Sequence, residues 1–151
     1  MNAFPFLRLR GAATPRRTAA AAAAGFSVIA AFQASLALGA PLGEAAYGGA
    51  SAGRLPPELR AASAVAMVVW LLAALTVLAR VRPGPVPAGR TLRWGLRGFI
   101  VLLAAGTLMN AASSSPWERF LWAPLALVLL LLCLRLDRHR GADGRPHSPA
   151  A

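Results

Sequence analysis

The sequence contains no lysine, a single cysteine and only five acidic side chains in 151 residues. The lone Cys133 excludes an intrachain disulfide, a paired-cysteine redox motif and a zinc site built from cysteines. Charged residues make up 14% of the chain, whereas soluble domains carry about a quarter. This shortage of charge, together with 57% hydrophobic residues, excludes an ordinary soluble domain.

Four long uncharged runs dominate the sequence. About 20 apolar residues in a helix are enough to cross the ~30 Å hydrocarbon core of a bilayer. Only helices satisfy the backbone of such runs within lipid, so we predict an all-α, polytopic membrane protein. Its four transmembrane helices are expected to form a bundle, with spans at residues 18–40, 61–80, 94–112 and 117–136.

The spans define a transmembrane domain over residues 15–137, flanked by two short segments. Residues 1–14 are predicted to be a basic cytoplasmic segment, and residues 138–151 a polar, disordered cytoplasmic tail. Thr14 and Pro15 favour a helix start, and Ser115 with Glu118 predicts a capping box that opens the fourth helix. No segment outside the spans is long enough to fold as a catalytic domain.

All sixteen basic side chains are arginines, and they are distributed unevenly between the two sides of the predicted membrane. Positive side chains concentrate in the cytoplasm, so both termini are predicted to be cytoplasmic. The alanine- and arginine-rich composition indicates a bacterial source and hence the inner (plasma) membrane. The cytoplasmic side would carry Arg8, Arg10, Arg16, Arg17, Arg80, Arg82, Arg90, Arg93, Arg97, Arg135, Arg138, Arg140 and Arg145; the outer side would carry Arg54, Arg60 and Arg119.

The first span also has the features of a secretory signal peptide. A basic start, an apolar stretch and the small-residue end at Ser35-Leu36-Ala37 are typical of such signals. Its apolar region is long for a signal core, which favours a retained helix. Cleavage would instead leave three spans and an outer N-terminus.

No span contains an ionisable side chain between its flanking arginines. Proton-coupled pumps usually need such a group inside the membrane, so a proton-driven pump is not favoured. Both histidines, His139 and His147, fall in the predicted tail, and no catalytic, cofactor or metal site is expected. The arginines are explained by topology and by binding to anionic lipid, without any nucleic-acid partner.

Neutral polar side chains within the spans include Gln33, Ser35, Thr107 and Asn110. They are expected to form hydrogen bonds between helices, with a polar lining around Gln33 and Asn110 as the alternative. Small residues four apart, such as Ala21 with Gly25, indicate packing surfaces.

The predicted outer face collects most of the remaining polar chemistry. Acids at helix starts are expected from the helix dipole alone. The structural interpretation is therefore that these side chains cap helices and form salt bridges between two helical hairpins, one made by the first and second spans and the other by the third and fourth. The functional interpretation is contact with a lipid head group, a partner or a small ligand. This predicted outer cluster consists of Glu44, Glu58, Arg60, Asn110, Trp117, Glu118 and Arg119.

Three short segments of the chain are similar to those of a known group of proteins: residues 38–43 (LGAPLG), 55–60 (LPPELR) and 110–119 (NAASSSPWER). The chain resembles a group of small, uncharacterised bacterial four-helix membrane proteins with a Gly-Ala-Pro-x-Gly loop and a Trp-Glu-Arg before the last helix. Leu42 departs from the tryptophan that often follows the loop proline there. The resemblance implies the same topology and no particular activity.

Three functions remain open from the sequence. The leading hypothesis is a non-catalytic membrane protein that acts by helix–helix association with itself or another membrane protein. The alternative is a small oligomeric transporter or channel with a neutral polar lining. A third is an enzyme that acts on lipid through Glu58 and Glu118 as general acid and base.

Overall fold

The computed structural model describes residues 14–82 and 89–142, with side chains to residue 138. These residues form no strand and four long helices: α1 (Pro15–Ala37), α2 (Pro57–Val81), α3 (Arg90–Ala112) and α4 (Ala123–Ala142). Each is long and apolar enough to cross a membrane, α4 together with the turn before it. The predicted all-α class and the four apolar spans are confirmed.

Local chemistry explains where the helices begin and end. The Thr14 hydroxyl accepts a hydrogen bond from the Arg17 N–H, and Pro57 occupies the first turn of α2. α1 ends at Ala37, short of the predicted residue 40, where the chain turns at Gly39. α4 continues to Ala142, past the predicted start of the tail. The remaining residues of both predicted flanking segments, 1–13 and 143–151, lie outside the described residues.

A kinked turn precedes α4. Residues Glu118–Trp122 form a π-helical turn in which the Ala123 N–H reaches back to the Glu118 carbonyl. Proline at position 124 has no N–H to donate and its ring crowds the preceding turn, which the wider π turn accommodates. The helical hydrogen-bond pattern is therefore altered in the turn before Pro124.

The helices are packed unevenly against one another. α1 packs closely on α2, α3 on α4 and α1 on α4, whereas α2 and α3 share few contacts. Phe26, fully buried, lies near the centre, with its ring 5.8 Å from that of Trp70 and 6.5 Å from that of Phe99. The two ends of the molecule differ, and we name them the loop end, which carries residues 38–56 and 113–117, and the opposite end.

The opposite end is held together by an ion-pair cluster. Asp137 of α4 lies 3.5 Å from the Arg80 guanidinium of α2 and 3.4 Å from that of Arg97 of α3. Arg80 is only 4% exposed, so its charge is held largely away from solvent. Removing one member of such a buried pair leaves an uncompensated charge, and the cluster therefore fixes three helices together. Around it pack Ala19, Ala22, Val77, Leu96, Cys133 and Leu136.

Candidate functional site

Residues 38–56 fold into a compact loop with two short 3-10 turns, Gly43–Ala45 and Tyr47–Gly49. The Gly43 N–H donates to the Gly53 carbonyl at 2.8 Å and closes the loop on itself. A Cβ at Gly43 would collide with the Ser51 carbonyl and lie 2.8 Å from that of Gly53. Only glycine fits there, so this position determines how tightly the loop closes.

Gly48 connects the loop to the other hairpin. Its N–H donates to Glu118 Oε1 at 3.1 Å, and its carbonyl accepts a hydrogen bond from the Ser114 hydroxyl at 2.9 Å. The φ angle of Gly48 is +77°, a region that side-chain-bearing residues adopt only at a cost. The glycine therefore lets its own N–H and its own carbonyl, which belong to consecutive peptide units, both bond the segment around the start of the fourth helix.

The predicted capping box is not formed. The Ser115 hydroxyl donates to the Glu44 carbonyl of the loop at 2.7 Å, and the Glu118 carboxylate bonds Gly48 rather than the Ser115 N–H. The Ser113 hydroxyl accepts from the Ser115 N–H instead. The hydroxyl and carboxylate groups that usually cap a helix start bond the loop in this structure, because the fold brings backbone groups of the loop within hydrogen-bond distance of them.

Two further side chains, Trp122 and Tyr47, complete the attachment of the loop to the helices. The Trp122 indole N–H donates to the Ala45 carbonyl at 2.9 Å. The Tyr47 hydroxyl lies 2.9 Å from the Ser63 hydroxyl and donates to the Leu59 carbonyl at 3.3 Å, both on α2. Tyr47 has a φ of +51°, an uncommon value that these contacts maintain. The loop is thus bonded to both hairpins and forms a roof across them.

Beneath this roof lies a cavity of about 520 Å³. Its exposed lining residues, Tyr47, Met109 and Ser114, mark an opening at the loop end beside α3. The wall combines aromatic rings, aliphatic side chains and a few polar groups. The lining residues are Ile29, Phe32, Gln33, Ala45, Ala46, Tyr47, Gly48, Trp70, Leu103, Gly106, Met109, Asn110, Ser113, Ser114, Glu118, Trp122 and Ala126.

An apolar layer closes the inner end of the cavity. Trp70 and Leu103 line it and also belong to the main core, where the Phe26 ring stacks on Trp70. Phe26 has no exposed surface, and Leu103 is 1% exposed. The cavity therefore ends at this layer and does not continue between the packed side chains toward the opposite end.

Gln33 and Asn110, the two polar residues singled out by sequence, line the same cavity. In the described part of the chain neither side chain has a hydrogen-bond partner, and Gln33 Oε1 is buried. Ser35 and Thr107 were expected to bond between helices. They instead donate to carbonyls of their own helices, at Phe32 and Leu103. The cavity wall thus keeps a buried acceptor that no side chain satisfies.

The predicted outer cluster is only partly assembled. Glu118 and Asn110 face the cavity, whereas Glu58 and Trp117 are exposed and do not line it. Arg60 donates to the Ala37 carbonyl at 3.1 Å and Arg119 to the Ser113 carbonyl at 2.7 Å, so both bind helix ends.

Salt bridges between the two hairpins at the loop end, one expectation for this cluster, are not formed. Over residues 14–82 and 89–138, every ion pair involves Asp137 at the opposite end. Glu44 contributes to the loop contacts through its backbone carbonyl, and its carboxylate is exposed. The arginine side chains at this end donate to carbonyls at helix ends instead of pairing with the acids.

Three residues of the site have a role that the sequence did not indicate. Tyr47 and Trp122 are expected at the outer side of the membrane by sequence, but no motif distinguishes them from ordinary interface aromatics, yet both hold the roof and line the cavity. The third is Gly106, four residues before Asn110 on α3. In the structure an added Cβ at Gly106 meets no atom within 4 Å, because the residue borders open space.

Comparison with known proteins gives no match to a family model, a curated protein or a solved structure. The interpretation of the site therefore rests on its own geometry.

Proposed function

We propose that this chain is a multi-pass membrane protein that binds a small amphipathic solute in the cavity beneath the roof. Its four helices would form a bundle in the inner (plasma) membrane of a bacterium, with both termini cytoplasmic and the loop end outside. The excess of arginine at the opposite end supports this orientation. The described fold offers no soluble domain for a different kind of activity.

One observation carries the proposal: the chain forms a mostly apolar cavity, open at the loop end, whose wall holds an unsatisfied buried acceptor, Gln33 Oε1. Buried polar atoms in proteins are nearly always hydrogen-bonded. Ligand sites typically combine apolar walls with a few convergent polar groups in a volume of this order. A solute with an apolar body and a polar head matches both parts of the wall.

The packing of small residues weakens the leading sequence hypothesis of helix–helix association. Gly25 faces Leu129 of α4, and Ala30 is 3% exposed, so both are used within the chain, whereas Ala21, the other member of the predicted pair, is exposed. Exposed apolar side chains on the outside of the helices are expected in lipid and need no second protein. Association therefore has less support than binding in the cavity.

The proposed lipid enzyme also has little support. Its mechanism required Glu58 and Glu118 to act together, and Glu58 does not border the cavity that Glu118 lines. A general acid and base must both come within hydrogen-bond reach of the reacting group.

A pair of glycine substitutions on α3 tests the proposal. Gly106→Leu would place a side chain in the cavity, whereas Gly98→Leu would place the same side chain on an exposed surface outside it. Binding of decanol in lipid nanodiscs is measured by tryptophan fluorescence in a Trp94→Phe/Trp117→Phe background. Trp70 and Trp122, both cavity residues, then remain as reporters.

We expect saturable quenching in the parent protein and in Gly98→Leu, and its loss in Gly106→Leu. Unchanged thermal stability of both variants is the control for folding, since each replaces a helical glycine by a better helix former. Saturable binding that survives in Gly106→Leu would place the ligand elsewhere and overturn the proposal.

The transporter alternative keeps one supporting observation: α2 and α3 share few contacts. α1 packs on α4, however, and Asp137 joins α4 to α2 and α3, so an opening to alternate sides would have to rearrange these contacts. Solute flux into liposomes that disappears in Asn110→Leu would support transport, and binding without any flux would limit the protein to binding.

Anionic lipid remains the proposed partner of the cytoplasmic arginines. Arg16 and Arg82 line a groove at the opposite end together with the leucines Leu75 and Leu78. Guanidinium groups beside an apolar groove suit a phosphate head group and its acyl chain.

A further inference from the structure

We infer that the solute of this cavity is a protonated amine with an apolar tail. The inference rests on the proposed binding function and names the chemical class of its ligand. It follows from the kind of polar groups in the wall, the aromatic rings around them and the sign of the local charge.

The wall offers acceptors where a polar head would sit. Gln33 Oε1 is buried without a donor, and Glu118 uses only one described carboxylate oxygen, which accepts from Gly48. Asn110 adds an amide without a partner in the described part of the chain. A head group that donates several N–H bonds satisfies both Gln33 Oε1 and Glu118. A carboxylate head could accept from the amide N–H groups of Gln33 and Asn110, but it would leave both of these acceptors unsatisfied.

Aromatic rings stand beside these acceptors. The Phe32 and Trp122 ring centroids are 4.4 Å apart, and both residues line the cavity with Tyr47 and Trp70. A cation over the face of such rings is attracted by their quadrupole, most strongly in a desolvated site. The rings also pack against an apolar tail, so one wall serves both parts of the ligand.

Glu118 supplies the only formal charge on the described lining of the cavity. The arginines of the loop end are directed elsewhere: Arg54 bonds the Gly39 carbonyl, while Arg60 and Arg119 bond Ala37 and Ser113. None of the three lines the cavity. An ammonium head therefore meets a carboxylate without a competing guanidinium in the wall, although the chain as a whole carries a net charge of +11.

Four probes with the same ten-carbon tail separate these contributions. Decylammonium, decanol, decanoate and decyltrimethylammonium are titrated against the protein in zwitterionic nanodiscs, with Trp70 and Trp122 as reporters. We expect decylammonium to bind most tightly and decanoate most weakly. The trimethylammonium probe keeps the charge but has no N–H donor for Gln33 Oε1, so it is expected to bind less well than decylammonium.

Glu118→Gln is the matched variant, because its amide oxygen still accepts from the Gly48 N–H while the charge is lost. We expect decylammonium affinity to fall about tenfold, the effect of losing one charge-assisted hydrogen bond, and decanol affinity to fall by much less, because decanol carries no charge. Hydrogen exchange of residues 43–50 matching that of the parent protein is the control for the roof.

The outcomes distinguish the two proposals. If decanol and decylammonium bind equally, and Glu118→Gln affects neither, the amine assignment is wrong and solute binding stands. Equal affinity for decylammonium and its trimethyl analogue would overturn the role assigned to Gln33 as an acceptor of N–H donors. Absence of saturable binding by every probe would overturn the proposed function itself.

Discussion

The two halves of this molecule contain the same four helices but accommodate a carboxylate among them in different ways. At the opposite end, Asp137 binds arginines from two other helices, and the apolar core of this end includes Leu96 and Cys133, which have no exposed surface. At the loop end, Glu118 binds a backbone N–H of the loop, and a cavity remains below it.

This difference shows what a single carboxylate can do in such a fold. Asp137 is surrounded by cationic partners on neighbouring helices, so its contacts fix the helices to one another. Glu118 has no cationic partner among the described side chains, and its bond to Gly48 instead supports a roof. We call the half in which charge is paired the closed half, because its core residues Leu96 and Cys133 have no exposed surface, although it also carries the groove lined by Arg16 and Arg82. The half in which charge is not paired keeps the cavity beneath the roof for a ligand.

The largest expected effect concerns the closed half. Asp137→Asn removes the acid that Arg80 and Arg97 share in the described structure, and with it an ion-pair partner of the buried Arg80 guanidinium. We expect the free energy of unfolding in detergent to fall by about 3 kcal/mol. Arg97→Gln is the control: it removes a 51% exposed partner, and its loss should stay below about 1 kcal/mol. Equal losses in the two variants would show that the cluster does not depend on the buried charge.

A second comparison makes the same glycine-to-valine substitution at a closely packed position and at a position beside the cavity. Gly25→Val would put a Cβ 2.6 Å from Leu129 Cδ2, whereas a Cβ at Gly106 meets no atom within 4 Å. We expect Gly25→Val to destabilise the protein by about 2 kcal/mol through overpacking. Gly106→Val should leave its stability unchanged or slightly higher. Thermal unfolding of the two variants side by side measures the difference, and a destabilised Gly106→Val would argue against open space there.

The third prediction concerns the roof. Glu118→Ala removes the acceptor of the Gly48 N–H, a hydrogen bond to a charged group worth about 1.5 kcal/mol. Hydrogen exchange of residues 43–50 should become faster, while exchange around Asp137 stays as in the parent protein. Uniformly faster exchange over the whole chain would mean that Glu118 supports global stability rather than the loop.

The sequence predicted the helices better than the site, for physical reasons. Apolar length and helix-start residues such as Thr14 and Pro57 are local signals, and the structure follows them. Ser115 and Glu118 carried the same local signal, yet a loop about 70 residues away along the chain competes for their hydrogen bonds. Local chemistry cannot reveal a competitor that only the tertiary fold brings near.

The cavity was beyond sequence reasoning for a related reason. Gln33 and Asn110 stood out as polar residues within apolar spans, but their meeting in one space depends on how far α2 and α3 separate. The Asp137 cluster was missed because topology already explained the arginines near span ends. A charge can satisfy the positive-inside rule and also form a specific ion pair.

The most direct test of an open half and a closed half is cysteine labelling with a water-soluble maleimide. The parent protein reports on the fully buried Cys133. The Cys133→Ala/Gly106→Cys variant reports on the cavity, and Cys133→Ala/Gly98→Cys reports on an exposed α3 position outside it.

We predict fast labelling from the loop side for Gly106→Cys, slow labelling of Gly98→Cys in lipid, and none of Cys133 until the protein is unfolded. Labelling of Gly106→Cys no faster than that of Cys133 would contradict the account, because it would show that the loop half is as closed as the other.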